Sequence, residues 1–476
     1  MTDSIDAALA HERAGRVMEA QAEYAALLKQ NPSHVEANHR LGLLALAAGR
    51  AETAIALILR AAKEAPQRWD IVNNLGNALL KNGWSAEAVE AYRRALELKP
   101  GDGDLILNLA QGLFSLGNAR SKAGHAEEAE IHLSEAWTLA PDRAAIAVSL
   151  GSVLLDRGRT EQALTTLDQA LALDPDHVTA HWNRAHARLR LGGWTEGWED
   201  FRWRHKRPGA MEAPPLPEWQ GQPMPSATLL VWAEQGLGDA IQFVRFLPWV
   251  QQRVGRVIVA VHAALRPLFR ASFAGIELAD LDLPWPQADV QVALLDLAGL
   301  SGARPDALPP APYLAADPAR TADWQDKLHG PGRALGFAWK GNPAHRADAR
   351  RSFALSDLVP ILALPGYRFY SLQIEADHLL PSGIVDLAPA LTDFGETAAI
   401  LVNLDAVITP DTALAHLAGG LGRVGHVVLP MAGDWRWGEA GDRCPWYPSL
   451  ALHRQERAGV WDSPINRLAA ALHNAR

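Results

Sequence analysis

Proline recurs at Pro32, Pro66, Pro100, Pro141 and Pro175, at intervals of 34, 34, 41 and 34 residues. Glycine keeps the same beat at Gly15, Gly49, Gly83, Gly124, Gly158 and Gly192, and a small residue follows at Ala20, Ala54, Ala88, Ala129, Ala163 and Gly197. A period of this length restricts the chain to an array of like units, each able to bury its apolar face only against its neighbours. Proline cannot continue a helix interior, so it marks where each unit's second helix ends. The small residues allow two helices to approach closely.

The period and pattern match the tetratricopeptide repeat, in which each unit is a pair of antiparallel helices. Leu75-Gly76 with Ala88, Tyr92, Ala95 and Pro100 fits it, as does Leu150-Gly151 with Ala163, Ala170 and Pro175. The long interval places seven extra residues between Ala110 and Gly124. That is about two turns at 3.6 residues per turn, which keeps an apolar face in phase. Such an α-solenoid presents a concave groove suited to a peptide or protein partner. At one position of the first helices stand Arg40, Asn74, Asn108, Ser149 and Asn183. The amides of Asn74, Asn108 and Asn183 suit an acceptor's backbone, offering donors and an acceptor together; the same positions equally suit a solvated helix face.

The array is expected over residues 1–207, ending in Trp194, Trp198, Phe201 and Trp203, which read as a packing surface for the next domain. Residues 208–225 are proline-rich and read as a stiff extended linker. The net charge of −9 argues against a nucleic-acid partner, which selects a basic face. A single cysteine, Cys444, excludes an intrachain disulfide framework. The opening residues lack a secretion-signal pattern and no run is long enough to span a bilayer, so the expected location is the cytoplasm.

After Ser226, short apolar runs alternate with amphipathic helices, the pattern of parallel sheets. Strands are expected at Thr228–Ala233, Val257–Val261 and Val290–Leu294, then at Ala334–Trp339, Arg368–Leu372, Ala406–Thr409 and His426–Pro430. The two series divide near residue 330, giving Rossmann-like halves at 226–330 and 331–476. The stretch Val231 to Phe243, VWAEQGLGDAIQF, reads as a strand, a turn through Gly236 and Gly238, and a helix entered near Asp239. Unpartnered N–H groups at such a helix start favour an anion. Asp239 and Gln242 also form a D-x-x-Q pattern that serves as a capping box without chemistry. In the second half, Lys340, Asn342 and Gln373 follow strands, and Arg351-Ser352 stand nearby in sequence. Thr409-Pro410 reads as a helix cap and first helical residue, leading through Asp411, Thr412 and Ala413 to His416. Asp411 equally suits the helix dipole and His416 a satisfied packing role. Trp232, Trp339, Trp435 and Trp437 read as core more readily than as stacking platforms. DxD triplets at Asp102–Asp104 and Asp174–Asp176 lie at repeat ends, so no metal is invoked. No P-loop and no GxGxxG with a following acidic residue is present, which argues against a nicotinamide enzyme.

EQGLGDAIQFVRFLP, the WKGNP turn, RRS, YSLQ, ITPDTALAHLAGGLG and DWRWG with CPWYPS resemble, in order, the signatures of bacterial proteins joining tetratricopeptide repeats to a GT-B glycosyltransferase domain of two Rossmann-like sheets. The second half is similar to heptosyltransferases, and the layout resembles protein O-GlcNAc transferases and flagellin glycosyltransferases. That resemblance implies transfer of a sugar from a nucleotide-sugar, itself the substrate, with no further cofactor and no metal, to a protein hydroxyl such as one on flagellin. It implies Asp239 as catalytic base. The donor would be held by Gly236, Gly238, Lys340, Asn342, Arg351, Ser352, Gln373, Asp411, Thr412, Ala413 and His416. Two other readings stay open: a repeat scaffold with an inactive transferase-like domain, and a transferase for lipopolysaccharide or a small molecule.

Overall fold

The computed structural model describes residues 3–309, 311–344, 348–374 and 379–474. By contact the chain forms two compact units, Met1–His177 and Val178–Arg476. The first is helical: α1 (Asp3–Arg13), α2 (Val17–Gln30), α3 (Val35–Ala47), α4 (Ala51–Glu64), α5 (Trp69–Lys81), α6 (Ser85–Leu98), α7 (Gly103–Lys122), α8 (Ala126–Leu139), α9 (Ala144–Asp156) and α10 (Thr160–Leu173).

The periodic residues divide into three jobs. Gly15, Gly49, Gly83, Gly124 and Gly158 turn the chain between paired helices with φ of +72° to +84°, where a Cβ is strained. The periodic alanines from Ala20 to Ala163 are fully buried. A third set, Gly42, Gly76, Gly117 and Gly151, sits where paired helices cross. A Cβ on these would fall 2.5, 2.6, 2.6 and 2.7 Å from Ile58, Tyr92, Leu133 and Leu167. The seven extra residues lie in α7, which has 20 residues where α5 and α9 have 13. Its apolar face runs on through Leu109, Leu113 and Leu116.

The second unit opens with α11 (Val178–Arg190) and α12 (Trp194–Phe201), which keep the repeat spacing yet belong by contact to the α/β part of the chain. Trp194, Trp198 and Phe201 pack edge-on against Trp435, and Trp198 donates Nε1–H to Ala303 O at 2.9 Å. The connector ends tied down: Trp219 is fully buried, and it exchanges backbone bonds through Gln291, with Trp219 N to Gln291 O at 2.8 Å and Gln291 N to Pro217 O at 2.9 Å.

Two all-parallel sheets come next. The first holds β1 (Met224–Trp232), β2 (Val254–Val261), β3 (Glu277–Asp280) and β4 (Val290–Ala293) in the order β3-β2-β1-β4. The second holds β5 (Arg333–Phe337), β6 (Tyr367–Ser371), β7 (Ile384–Asp386), β8 (Ala406–Pro410), β9 (Gly425–Leu429) and β10 (Leu450–Arg454) in the order β10-β9-β8-β5-β6-β7. Between and after them run α13 (Leu237–Phe243), α14 (Leu247–Gln251), α15 (Arg266–Ser272), α16 (Asp296–Leu300), α17 (Pro318–Leu328), α18 (Asp348–Arg351), α19 (Val359–Leu362), α20 (Phe394–Val402), α21 (Ala413–Gly420) and α22 (Asp462–Asn474). β3, β7 and β10 were not expected from sequence. They are edge strands with mixed polarity, and β3 and β7 are short, so apolar runs do not reveal them. The order of strands reverses once in each sheet, between β1 and β4 and between β5 and β8, and such switch points open a crevice at the strands' carboxyl ends. Among the described residues no helix is long and apolar enough to cross a membrane.

The glycine assignment is tested by two substitutions. Gly151→Ala forces a Cβ against Leu167 and is expected to cost about 1 to 3 kcal/mol by overpacking. Gly158→Ala, at φ +72°, is expected to cost about 1 kcal/mol from backbone strain. Urea titrations followed by circular dichroism check the ranking; a costlier Gly158→Ala would contradict it.

Candidate functional site

The switch point of the first sheet is the turn after β1. Glu234 is anchored from behind: Arg204, 2% exposed, places Nη2 2.7 Å from Glu234 Oε1 and Nη1 2.8 Å from Asp296 Oδ1, and His205 Nε2 lies 2.9 Å from Asp296 Oδ2. Desolvation pushes the Glu234 carboxyl up, whereas Arg204 and His205 overcome desolvation at Asp296 and hold it below the usual carboxylate range. A polar pocket of about 380 Å³ opens beside this turn, lined by Arg207, residues 208–211, Gln235 and Gly236 among others.

Helix α13 then starts with Gly236 as its cap, and Asp239 Oδ2 accepts Gly236 N–H at 3.0 Å. The D-x-x-Q reading is thus corrected. Asp239 lies inside the first turn rather than capping it, because Gly236 already supplies the extended cap residue. Asp239 and Gln242, one turn apart, instead offer two acceptors to one cation. Arg436, 9% exposed, donates Nη2–H to Asp239 Oδ1 at 2.5 Å, Nε–H to Gln242 Oε1 at 2.6 Å and Nη1–H to Asp434 Oδ1 at 2.9 Å. Asp434 belongs to the turn after β9, so this guanidinium ties the first sheet's switch point to the second half.

The second sheet's switch point corrects another expectation. Thr409 and Pro410 are strand residues: Pro410 ends β8 in register with Val428, and the helix starts only at Ala413 with Thr412 as cap. The two residues pair with Val427 and Val428 of β9, and Pro410, which has no N–H to donate, is the last strand residue. Thr412 Oγ1 lies 2.9 Å from Thr409 Oγ1 and makes no capping bond at the start of α21. Helices α13 and α21 touch. A Cβ on Gly238 would stand 3.0 Å from His416 Cδ2 and 3.3 Å from Ala413 Cα, so glycine is what lets them close.

Around this contact stand the other residues singled out in the sequence. Lys340 is exposed, and its N–H, with that of Trp339, is held by Gln373 Oε1 at 2.8 and 3.0 Å. Ser352 Oγ accepts Gly341 N–H at 3.1 Å, and Asn342 Oδ1 accepts Ala344 N–H at 2.9 Å. Arg351 donates Nη1–H to the Asp411 carbonyl at 2.8 Å and lies 3.2 Å from Asp348 Oδ1. So Arg351 stands beside Asp411, while Gln373 and Ser352 shape the turn that carries Lys340 with their own polar atoms. His416 is 5% exposed, its Nδ1 3.1 Å from the Tyr447 hydroxyl and its ring stacked on Trp437. Trp232, Trp339, Trp435 and Trp437 are each 1% exposed or less.

In the first unit, Asn74 Nδ2 lies 3.0 Å from His39 Nε2 and Asn108 Nδ2 donates to Asn73 Oδ1 at 2.9 Å. These bonds run from each first helix to that of the preceding repeat and spend part of the amides' capacity. Asn183 is half-buried on α11, in the second unit.

Sequence reasoning missed Arg436 and gave Asp434 no part in the site, and it read Gln242 only as half of a capping box. An arginine in a loop reads as solvated; its tryptophan neighbours in DWRWG were the signal that this one is not. The cleft's carboxylates titrate apart. Desolvation and the neighbouring Asp434 raise Asp411 to about 6, although its surface remains half-exposed. Asp434 is held at about 2, because Arg436 and His186 outweigh its desolvation. Desolvation, with Arg436 nearby, lowers His416 to about 3.

Models of the tetratricopeptide repeat match residues 5–68 and 39–103, and a TPR repeat model matches 151–192, so the chain carries these repeats. Among characterised proteins, Protein FlbA of Caulobacter vibrioides is 29% identical over 405 residues, covering 76% of this chain and 66% of FlbA. The chain thus spans just under two thirds of that relative's length. Solved structures similar to the repeats include YrrB, described as a TPR protein with an unusual peptide-binding site (17% identical, 38% of this chain, 91% of YrrB, TM-score 0.31). MamA from Desulfovibrio magneticus RS-1 is 18% identical over 35% of this chain and 91% of its own, with a TM-score of 0.29.

His416 generates a pH prediction. Its folded-state value lies below the unfolded one, so the unfolded chain takes up the proton first and stability falls as pH drops below 6.5. At pH 5 one such histidine costs about 2 kcal/mol. His186, His426 and His453, each lowered to about 4 chiefly by desolvation, act in the same direction. Asp411 opposes them between pH 6 and 4, because there the folded state holds the extra proton. In tryptophan-fluorescence urea titrations, His416→Gln is expected to lose less stability than the parent between pH 7 and pH 5; an equal loss would contradict the assignment.

Proposed function

We propose that the second unit is a GT-B-type glycosyltransferase that moves a sugar from a nucleotide-sugar to a hydroxyl of a protein held by the repeat groove. One observation supports the reading: the helices that follow the two switch-point strands meet, with Gly238 of α13 against Ala413 and His416 of α21. Crevices at such points are where open parallel sheets take ligands. The residues gathered there have the chemistry for a diphosphate. Lys340 and Arg351 are cationic, and the first N–H groups of α21 have no side-chain cap.

In this reading the acceptor oxygen attacks the sugar's anomeric carbon while its proton passes to the Asp239 carboxylate. The bond from that carbon to the phosphate oxygen breaks, and its electron pair leaves on the nucleoside diphosphate. Preorganised donors facing the leaving group commonly supply about 3 to 4 kcal/mol each. The repulsion expected between Asp411 and a diphosphate is eased by the raised pKa of its carboxyl, which favours protonation as the dianion approaches. The polar pocket beside Gln235 and Gly236 borders the cap bonded to Asp239 and offers the acceptor a place on the first-sheet side. Flagellin, the acceptor the resemblance implies, is the first protein to try.

A second reading has one observation in its favour. Both Asp239 oxygens, the Gln373 amide and the His416 ring are engaged in internal bonds, as suits a scaffold whose α/β unit no longer turns over. Asp239→Asn separates the two. Under the transferase reading it lowers transfer of radiolabelled sugar to acceptor by about 100- to 10,000-fold, the range of general-base contributions, with binding of nucleoside diphosphate retained. Undiminished transfer would remove Asp239 as base, and no transfer by the parent chain from any of a panel of nucleotide-sugars would leave the scaffold.

A further inference from the structure

A guanidinium carries five N–H donors in a planar fork. In Arg436 three are spent, on Gln242, Asp434 and Asp239. The plane is fixed by rings: the guanidinium lies 4.4 Å from the centroid of Trp435 and 5.8 Å from that of Phe243. Of its three acceptors, Gln242 is fully buried on α13, while Asp434 sits on the same turn as Arg436 itself and also accepts Arg436 N–H at 3.0 Å. The Asp239 carboxylate is different. Its side chain is 25% exposed against 10% for Arg436, so solvent reaches it.

That pairing is in tension with the role of Asp239. A general base needs a carboxylate oxygen within reach of the acceptor's proton, and here Oδ1 is engaged by Arg436 Nη2–H at 2.5 Å and Oδ2 by Gly236 N–H at 3.0 Å. The reagent able to relieve the tension is the one the crevice is built to admit. A diphosphate presents more charge than a carboxylate and matches the guanidinium fork in geometry.

We propose that Arg436 is a positioning residue that exchanges Asp239 for the donor's diphosphate, freeing Asp239 to act as base only once the donor is bound. Asp434 and Gln242 hold the guanidinium in place during the exchange, so it pivots on Nη1 and Nε and does not leave the crevice. The other charged or titratable groups around it are Asp411 after β8, His416 on α21 and His186 on α11. The exchange sets the order of events: donor first, proton removal second. The proposal rests on the reading of the crevice as a diphosphate site.

The test measures competition and needs no turnover. Inorganic pyrophosphate is titrated by calorimetry into the full chain and into Asp239→Asn, Arg436→Gln, Arg436→Lys and the Asp239→Asn/Arg436→Gln double variant, with ADP, GDP, UDP and CDP as parallel probes. Removing the competing carboxylate is expected to tighten pyrophosphate binding by about tenfold, within the usual range of coupling between sites. Arg436→Gln weakens binding, Arg436→Lys recovers part of it, and the double variant binds like Arg436→Gln alone. A gain from Asp239→Asn that persists in the double variant would mean simple removal of negative charge, and would overturn the exchange. So would an unchanged or weaker Asp239→Asn. If a nucleoside diphosphate binds but these couplings are missing, the exchange alone falls; if neither pyrophosphate nor any nucleoside diphosphate binds the parent chain, the donor site falls with it.

Discussion

The second unit is organised around a positive charge taken out of water. Burying a guanidinium costs several kcal/mol unless its donors are met by well-placed acceptors. For Arg436 those acceptors come from both halves: Asp239 and Gln242 on the helix after the first sheet's leading strand, Asp434 on a turn of the second sheet. The bonds to Asp239 and Gln242 join α13 to the second half, and the absence of a Cβ at Gly238 eases the close approach of α13 to His416 and Ala413. The aromatic wall of Trp435, Phe243, Trp198 and Trp446 then removes the remaining water. Packing and electrostatics here depend on each other.

The same closure sorts the acids of the crevice. Three carboxylates, Asp239, Asp411 and Asp434, lie near cations, and they do not share them equally. Asp434 has two bonds from Arg436 and stays ionised far into acid. Asp411 gives its carbonyl, not its carboxylate, to Arg351, and so carries the cost of desolvation and of Asp434's charge. The crevice thus holds one acid raised by desolvation and by its neighbour's charge, and another bonded to Arg436. Behind it, Arg204 holds Glu234 and Asp296 in a fully buried group, which fixes the turn from which α13 departs.

The helical units obey simpler rules. Their glycines serve backbone turns at positive φ in one set and close helix crossings in another, and the enlarged α7 adds whole turns so that both sets keep their phase. The last pair, α11 and α12, carries the same spacing but trades the partner helix for the aromatic wall and the turn after β9, where Arg190 donates to Gly433 O at 2.5 Å. The repeat pattern in sequence therefore runs past the point where the first unit stops.

What the amino-acid order determined alone was whatever depends on period and local backbone: the repeat array, the extra turns of α7, the alternation of strands and helices, and the glycine turn at Gly236 and Gly238. These are written in spacing, since a helix face or a buried parallel strand imposes its own rhythm on the residues. What only the tertiary structure decided was which polar atoms meet. Asp239 and Gln242 have one pattern in sequence whether they cap a helix or bind Arg436, and Thr409-Pro410 suits a helix start as well as a strand end. Arg436 is far along the chain from Asp239 and Gln242, and an arginine's burial is set by what folds over it, which no local spacing records.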